Sequence, residues 1–402
     1  MALISPFKAL RPKPELAKEV ASLPYDVMSS DEARQIAGGN PHSFLHITRS
    51  EIDLPHDVHV YSKLVYEKAL DNLMNMQKSG VLLREGKPCY YIYRLIMEGR
   101  SQTGLVCGSS VEDYNKDIIK KHEFTRPEKE QDRITHISAT RAQTGNVFLA
   151  YNNVPEIDSL IGNWMNAQQP VYDFTAEDGI SHTIWIVDNE AIIAEITRLF
   201  REKVPATYIA DGHHRAASAA KVKQALGTDA SAEADFFLST LFPASQLKIM
   251  DYNRVIRDLN GLTKDSFISA IKEKFSVQES AAPVKPSAQH EFGMYLDGQW
   301  YILHALPGTW SEDPIGVLDI SILSENVLDR ILNIKDQRTD KRIDFIGGIR
   351  GLKELERRVN SGEMAVAFSL YPVSIQQLFN IADSGNVMPP KSTWFEPKLR
   401  DG

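Results

Sequence analysis

Along this 402-residue chain the spacing of apolar positions changes several times, and each change marks an element. Between residues 57 and 79, Val60, Leu64, Ala69 or Leu70, Leu73 and Met76 fall near helical spacing, which predicts an amphipathic helix. The runs CYYIYRLIMEG and RSQTGLVCGSSVED are apolar and aromatic, with Gly99 between them, the pattern of an antiparallel hairpin. HTIWIVD reads as a strand, NEAIIAEITRLFREK as a helix, and ATYIA as a second strand that runs straight into another helix. Residues 31–37 predict a short helix that Ser29 or Ser30 can cap and Gly38-Gly39 can stop. In RPEKEQDRITHISATRAQTG, Pro127 suits a first helical position, Thr125 and Glu128 have capping-box spacing, and Gly145 lies just past the end. After about residue 240 the pattern resets with a strand (QLKIMDYNRVI), a helix (TKDSFISAIKEKF) and a hairpin (FGMYLD, QWYILHAL) that turns at Asp297-Gly298.

These elements predict a mixed α/β (α+β) fold. A first domain is expected over residues 1–240 and a second α/β domain over 241–402, because 402 residues exceed one small core.

Composition narrows the function classes. With 43% hydrophobic and 24% charged residues the chain is ordinary globular material, which excludes a disordered protein. A net charge of -8 argues against a general nucleic-acid binder, whose affinity comes from surplus Lys and Arg. Cys89 and Cys107 sit in apolar runs without C-x-x-C spacing and are expected to be buried thiols. There is no cationic leader followed by an apolar run, and no segment reaches the roughly 18 apolar residues of a membrane span. A cytoplasmic protein without membrane partners is expected, and a homodimer is compatible with the sequence.

The densest chemistry lies in YIADGHHRAASAAK, residues 208–221. If the helix begins at His213, Asp211 is the natural N-cap, and the amides of Gly212, His213 and His214 are left without intrahelical partners. Free amides at the positive end of a helix form an anion site. Gly212 allows close backbone approach, Arg215 offers a planar fork for phosphate or carboxylate, and the two histidines supply proton carriers near neutral pH. Zinc is not expected, since adjacent histidines diverge and no second ligand motif accompanies them.

A second cluster, Lys120, Lys121, His122, Glu123 and Arg126, precedes a helix. Taken alone, such a charge run is usually a solvated face. The functional alternative gives Glu123 the proton of an attacking hydroxyl while the cations offset phosphate charge. Magnesium held by an acid such as Asp211 is the usual companion of phosphoryl transfer. A third candidate is the proline-stiffened loop with Lys391, Ser392, Thr393 and Trp394. The glycine-rich DFIGGIRG lacks the P-loop pattern and is weak evidence.

The stretches PYDVMSSDEAR, NPHSFLHITRSEIDLP, RSQTG, IIKKHEFTRPEKEQDR, YIADGHHRAASA and MPPKSTWFEPKLR together resemble the family called domain of unknown function 1015, over nearly the whole chain. A remoter likeness is to the archaeal ADP-dependent free-serine kinases, whose core is similar to the partition protein ParB and to sulfiredoxin. It rests on Lys120 to Glu123, on Asp211 to Arg215, and on SGEMAVAFSLYPVSIQQLF followed by MPPKST. This resemblance implies a ParB/sulfiredoxin-like catalytic core and a C-terminal substrate loop. It implies that Glu123 deprotonates a serine hydroxyl, and that Asp211, His214 and Arg215, with Gly212, His213, Lys121 and His122, serve the donor phosphate and its magnesium. Lys391 to Trp394 would lie at the substrate. The chain departs from the kinases at Trp394 and Phe395, which replace an arginine and a histidine, so Arg350 or Arg338 would have to grip a substrate carboxylate.

The leading expectation is a kinase for free L-serine or a similar hydroxylated metabolite, using ATP, ADP or pyrophosphate. The alternative is a non-catalytic nucleotide-binding regulator.

Overall fold

The computed structural model describes residues 1–402 as two compact units, one of residues 1–247 and 397–402, the other of residues 248–396. Residues 397–402 thus fold with the first unit.

The first unit is built on a nine-stranded mixed sheet. Its strands are β1 (Ile4–Ser5), β2 (Tyr90–Met97), β3 (Arg100–Ser110), β4 (Ile119–Lys120), β5 (Val147–Tyr151), β6 (Tyr172–Thr175), β7 (Ser181–Val187), β8 (Thr207–Asp211) and β9 (Phe236–Pro243). The order across the sheet is β4-β8-β5-β9-β3-β2-β7-β6, with β1 beside β3. The hairpin β2–β3 turns at Glu98 and Gly99, both at positive φ. Only β4–β8 and β5–β9 pair in parallel. The core strand β5 is buried at every position, as expected for a strand covered on both faces.

Six longer helices accompany this sheet: α1 (Ser30–Ala37), α2 (Lys63–Lys78), α3 (Pro127–Thr140), α4 (Pro155–Ala167), α5 (Glu190–Lys203) and α6 (His213–Leu226). Ser29 caps α1 in a reciprocal capping box with Glu32. Helix α2 starts six residues later than the spacing suggested. Val65, Tyr66, Ala69, Leu73 and Met76 form its buried face, while Val60 and Leu64 are exposed. The expected Thr125–Glu128 capping box is absent: Arg126 is the N-cap of α3, and the Thr125 hydroxyl donates to Glu130 at 2.7 Å. That helix ends at Arg141 in the left-handed conformation, ahead of Gly145. Helix α6 is alanine-rich because both sides are covered: Ala216, Ala219 and Ala220 join the sheet core, and Ser218 bonds the carbonyl of Glu130 on α3. Cys89 and Cys107 are buried thiols.

The second unit is an antiparallel sheet of β10 (Tyr252–Ile256), β11 (Phe275–Ser280), β12 (Glu291–Leu296), β13 (Gln299–Ala305), β14 (Ile343–Gly347) and β15 (Val366–Leu370), in the order β11-β13-β12-β15-β10-β14. Helix α7 (Lys264–Ile271) is capped by Thr263. Helix α8 (Gly351–Asn360) buries Leu355 and Val359 against Val255, Ile346 and Ala367, and α9 (Ile375–Asp383) follows β15. The mixed α/β class read from the sequence holds for the whole chain. No helix is long and apolar enough to cross a membrane.

Candidate functional site

Two of the three sequence clusters meet in the first unit because of one strand pairing. Parallel register sets Ile119 beside Thr207 and Lys120 beside Tyr208. Parallel neighbours end at the same sheet edge, so the loop 121–126 and the junction 211–213 leave side by side. The junction histidines fasten the loop. The His122 amide donates to His213 Nε2 at 3.4 Å, and the Arg126 amide donates to His214 Nε2 at 2.9 Å. An Nε2 that accepts from an amide carries no proton, so each neutral ring holds its proton on Nδ1. Burial keeps His213 well below the ordinary histidine value and lowers His214 as well. His213 Nδ1 stands 3.9 Å from Glu123 Oε2, and the Glu123 side chain is 59% exposed.

Asp211 is not the N-cap. It ends β8, where the register against β5 shifts between Ile209 and Asp211, and Gly212 takes the cap position at φ 98. No side chain caps α6, so its first amides stand open at the positive end of a 14-residue helix. Gly212 is required twice over: its φ disfavours other residues, and a Cβ there would lie 3.3 Å from Val147 Cα. Burial works against the Asp211 charge, but Lys398 at 3.4 Å and Arg215 at 3.9 Å hold its carboxyl down to about 2, so it is ionised.

Arg215, expected at the phosphate, is buried and committed to the protein. Nη2 donates to both oxygens of Asp26 at 3.2 Å, and Nη1 donates to the carbonyl of Asn146. Its charge is opposed by burial and sustained by Asp26, Asp211 and Asp401. A cavity of about 20 Å3, space for roughly one water, lies among Tyr25, Arg133, His136, Thr144, Arg215 and Asp401. Burial pushes Asp401 up to about 6. Sequence reasoning missed Asp26 and Asp401 as partners of Arg215. PYDVMSS and PKLRDG carried no local signal for a contact at such separation.

Lys121 reaches the carbonyl of Tyr114 at 2.9 Å and lies 4.3 Å over its ring. His122 is 2% exposed, neither ring nitrogen has a hydrogen-bond partner, and burial pushes it to about 4. Its ring sits edge-on to His213 with centroids 4.5 Å apart.

The third cluster, Lys391 to Trp394, belongs to the second unit. Lys391 is exposed at φ 57, and Ser392 is buried with its hydroxyl on the carbonyl of Pro389. Thr393 is half-buried. Trp394 meets Tyr252 edge-on at 5.2 Å, donates to Glu396 at 3.0 Å and covers Gly347, where a Cβ would lie 3.2 Å from its ring. The glycines of DFIGGIRG thus serve close packing: a Cβ on Gly348 would strike Asp251. The loop is held by Arg254, fully buried, whose Nη2 donates to the carbonyls of Pro390 and Lys391 at 3.2 and 2.9 Å. Arg338 is tied to Asp336 at 2.9 Å, and Arg350 is exposed.

No group of three or more His, Cys, Asp or Glu side chains is placed to enclose a metal. One ionised carboxylate beside an uncapped helix end does fit magnesium in its other habit, held by one or two carboxylates and the phosphates it accompanies.

Comparison with curated proteins finds no match. Among solved structures, the chain is similar to a free serine kinase in complex with AMP, at 15% identity and TM-score 0.37, covering 74% of this chain and 90% of that one. A conserved hypothetical protein from Pyrococcus furiosus gives 14% identity and TM-score 0.36, covering 74% and 93%. SbnI with a C-terminal truncation, from Staphylococcus aureus, gives 10% identity and TM-score 0.36, covering 74% and 85%. Residues 4–321 match the family described as Protein of unknown function (DUF1015), and the chain belongs to that family.

Proposed function

We propose that the protein is a small-molecule phosphotransferase that moves a terminal phosphoryl group from ATP, ADP or pyrophosphate to the hydroxyl of free L-serine or a similar metabolite. The carrying observation is that the uncapped N-terminus of α6 and the exposed carboxylate of Glu123 are drawn together, Glu123 lying 3.9 Å from His213 at the first position of that helix. One group binds phosphate and the other takes a proton, the pair such a reaction needs.

On this reading the amides of Gly212, His213 and His214 hold donor phosphate oxygens. Glu123 removes the acceptor's proton as its oxygen bonds to the terminal phosphorus and the bond to the leaving phosphate breaks. His214, neutral with a proton on Nδ1, donates a hydrogen bond toward the leaving oxygen. Arg215 acts indirectly, fixing Asp26 and the carbonyl of Asn146 beneath the helix start. Asp211 would hold magnesium, which when bound neutralises charge on the phosphates. The reading carries with it a ParB/sulfiredoxin-like core for the first unit, a cytoplasmic setting and a substrate role for the Lys391–Trp394 loop.

Full-length protein with magnesium, serine and each donor should yield O-phosphoserine. Glu123→Gln should abolish product while donor affinity stays within about threefold, since a base contributes to proton transfer rather than to donor binding. Tight nucleotide binding without product from any acceptor would favour the non-catalytic nucleotide-binding regulator.

A further inference from the structure

Residues 397–402 form a strap that is fastened to the first unit at several points. Asp401 and Ser22 exchange backbone hydrogen bonds at 2.9 and 3.0 Å. The Asp401 carboxylate accepts the Asn146 amide at 3.2 Å, the Arg400 amide reaches Tyr93 Oη at 3.4 Å, and the Arg400 guanidinium pairs with Asp178. Leu399 is buried. These contacts fix the backbone just after Lys398, whose ammonium lies 3.4 Å from Asp211 Oδ2.

Lys398 is one of two cations facing Asp211, the other being Arg215 at 3.9 Å, whose fork is already shared between Asp26 and Asn146. Nor is it a tight pair, for charge-assisted N–H···O bonds close to about 2.7–2.9 Å. Lys398 is 15% exposed, on a flexible stem with three rotating donors, one residue away from the open amides of α6. A second observation, beside His213, points to a ligand. His122, buried and packed on His213, offers two ring nitrogens that no protein group satisfies. A buried polar group is rarely left so without water or a ligand.

We propose that Lys398 is a phosphate-contacting residue, delivered by the strap to the helix end, where it shares its ammonium between Asp211 and the donor's terminal phosphate. The inference rests on the phosphotransferase reading for the identity of the ligand. It adds that the site is incomplete without residues 397–402. Lysine at this place would act as a point charge offsetting phosphate oxygens, a role the committed guanidinium of Arg215 does not fill.

The test is calorimetric titration of the full-length protein with magnesium pyrophosphate and with magnesium ADP, for wild type, Lys398→Met, Lys398→Arg and Arg400→Met. Lys398→Met should weaken pyrophosphate binding by about tenfold or more, the scale of one lost charged hydrogen bond. Lys398→Arg should restore most of the affinity, and the salt dependence of binding should become shallower in Lys398→Met alone. Arg400→Met loosens the same strap without removing the ammonium, so it separates phosphate contact from strap attachment: its affinity should fall clearly less than that of Lys398→Met. Wild-type affinity in Lys398→Met, or equal losses in Lys398→Met and Arg400→Met, would overturn the inference. Failure of wild type to bind either probe would overturn the phosphotransferase reading as well. Binding that depends on Lys398 without product formation would sink only the reaction.

Discussion

His214 Nε2 accepts the backbone amide of Arg126 at 2.9 Å, and this bond joins two segments 88 residues apart in sequence. Together with the His122 amide on His213, it makes the paired histidines of α6 fasteners as much as candidate proton carriers. Both must stay neutral to do so, since a protonated imidazole cannot accept. Burial supplies that condition.

Gly212 sets the direction from which α6 starts. Gly212→Ala should destabilise the protein by about 1–3 kcal/mol, from a left-handed φ forced on alanine and a Cβ pressed on Val147. Because the shift moves the open amides, pyrophosphate affinity should fall too. Urea unfolding and titration calorimetry read the two effects, and an unstrained, fully binding variant would contradict the assignment.

Acid should unfold the protein earlier than carboxylate titration alone predicts. Burial holds His122, His136 and His182 each at about 4, below the ordinary value of about 6.5, so the folded chain binds fewer protons than the unfolded one. Their stabilising share is full above pH 6.5 and drains away as pH falls toward 4. Asp401, raised to about 6, and Asp319, raised to about 7, have the opposite sign: their share is present below the ordinary carboxylate value and is lost as pH rises through 6 and 7. With His213 and His214 lowered as well, five histidines outweigh the two carboxyls, so urea midpoints should drop between pH 6.5 and 4.5, and more steeply in Asp401→Asn. A flat profile would contradict this balance.

Arg254 is a buried cation that bonds only carbonyls. Arg254→Met should release the loop from Pro389 to Trp394, seen as faster amide exchange there, at a cost of about 1–3 kcal/mol for the charged hydrogen bonds lost. Arg254→Lys should not restore protection, because an ammonium lacks the planar fork that spans Tyr252, Pro390 and Lys391. Unchanged exchange in either variant would show that other contacts hold the loop.

The α1 cap offers a local control. Ser29→Ala removes the acceptor of the Glu32 amide, 3.2 Å away, and should cost about 1 kcal/mol without touching ligand binding. Loss of pyrophosphate affinity in this variant would mean that the first hundred residues reach the site more directly than through Asp26.

Local rules read well where neighbours in sequence decide. Gly99 and Asp297-Gly298 both turn hairpins at positive φ, Ser29 caps its helix, and His213 begins α6 as its pattern indicated. They failed where tertiary contact overrides propensity. Asp211 is a good capping residue, yet the shifted register of β8 places it in the strand and leaves its carboxylate to Lys398. Thr125 has the right spacing to Glu128 and bonds Glu130 instead, whose carboxylate also pairs with Lys221 from α6. Arg215 looked like a ligand fork because its side chain suits phosphate. Its real partner, Asp26, is 189 residues away.

The sequence by itself determined the chemistry available: an open helix start after a buried strand, a carboxylate in a cationic loop, glycine where only glycine fits, and membership in one family. These follow from residue type and short spacing. Tertiary structure alone decided which of them meet. Parallel pairing of two short strands set the loops of Glu123 and Asp211 at one sheet edge, and a returning strap carried Lys398 to them. Such contacts depend on strand order and chain return, which no local pattern encodes.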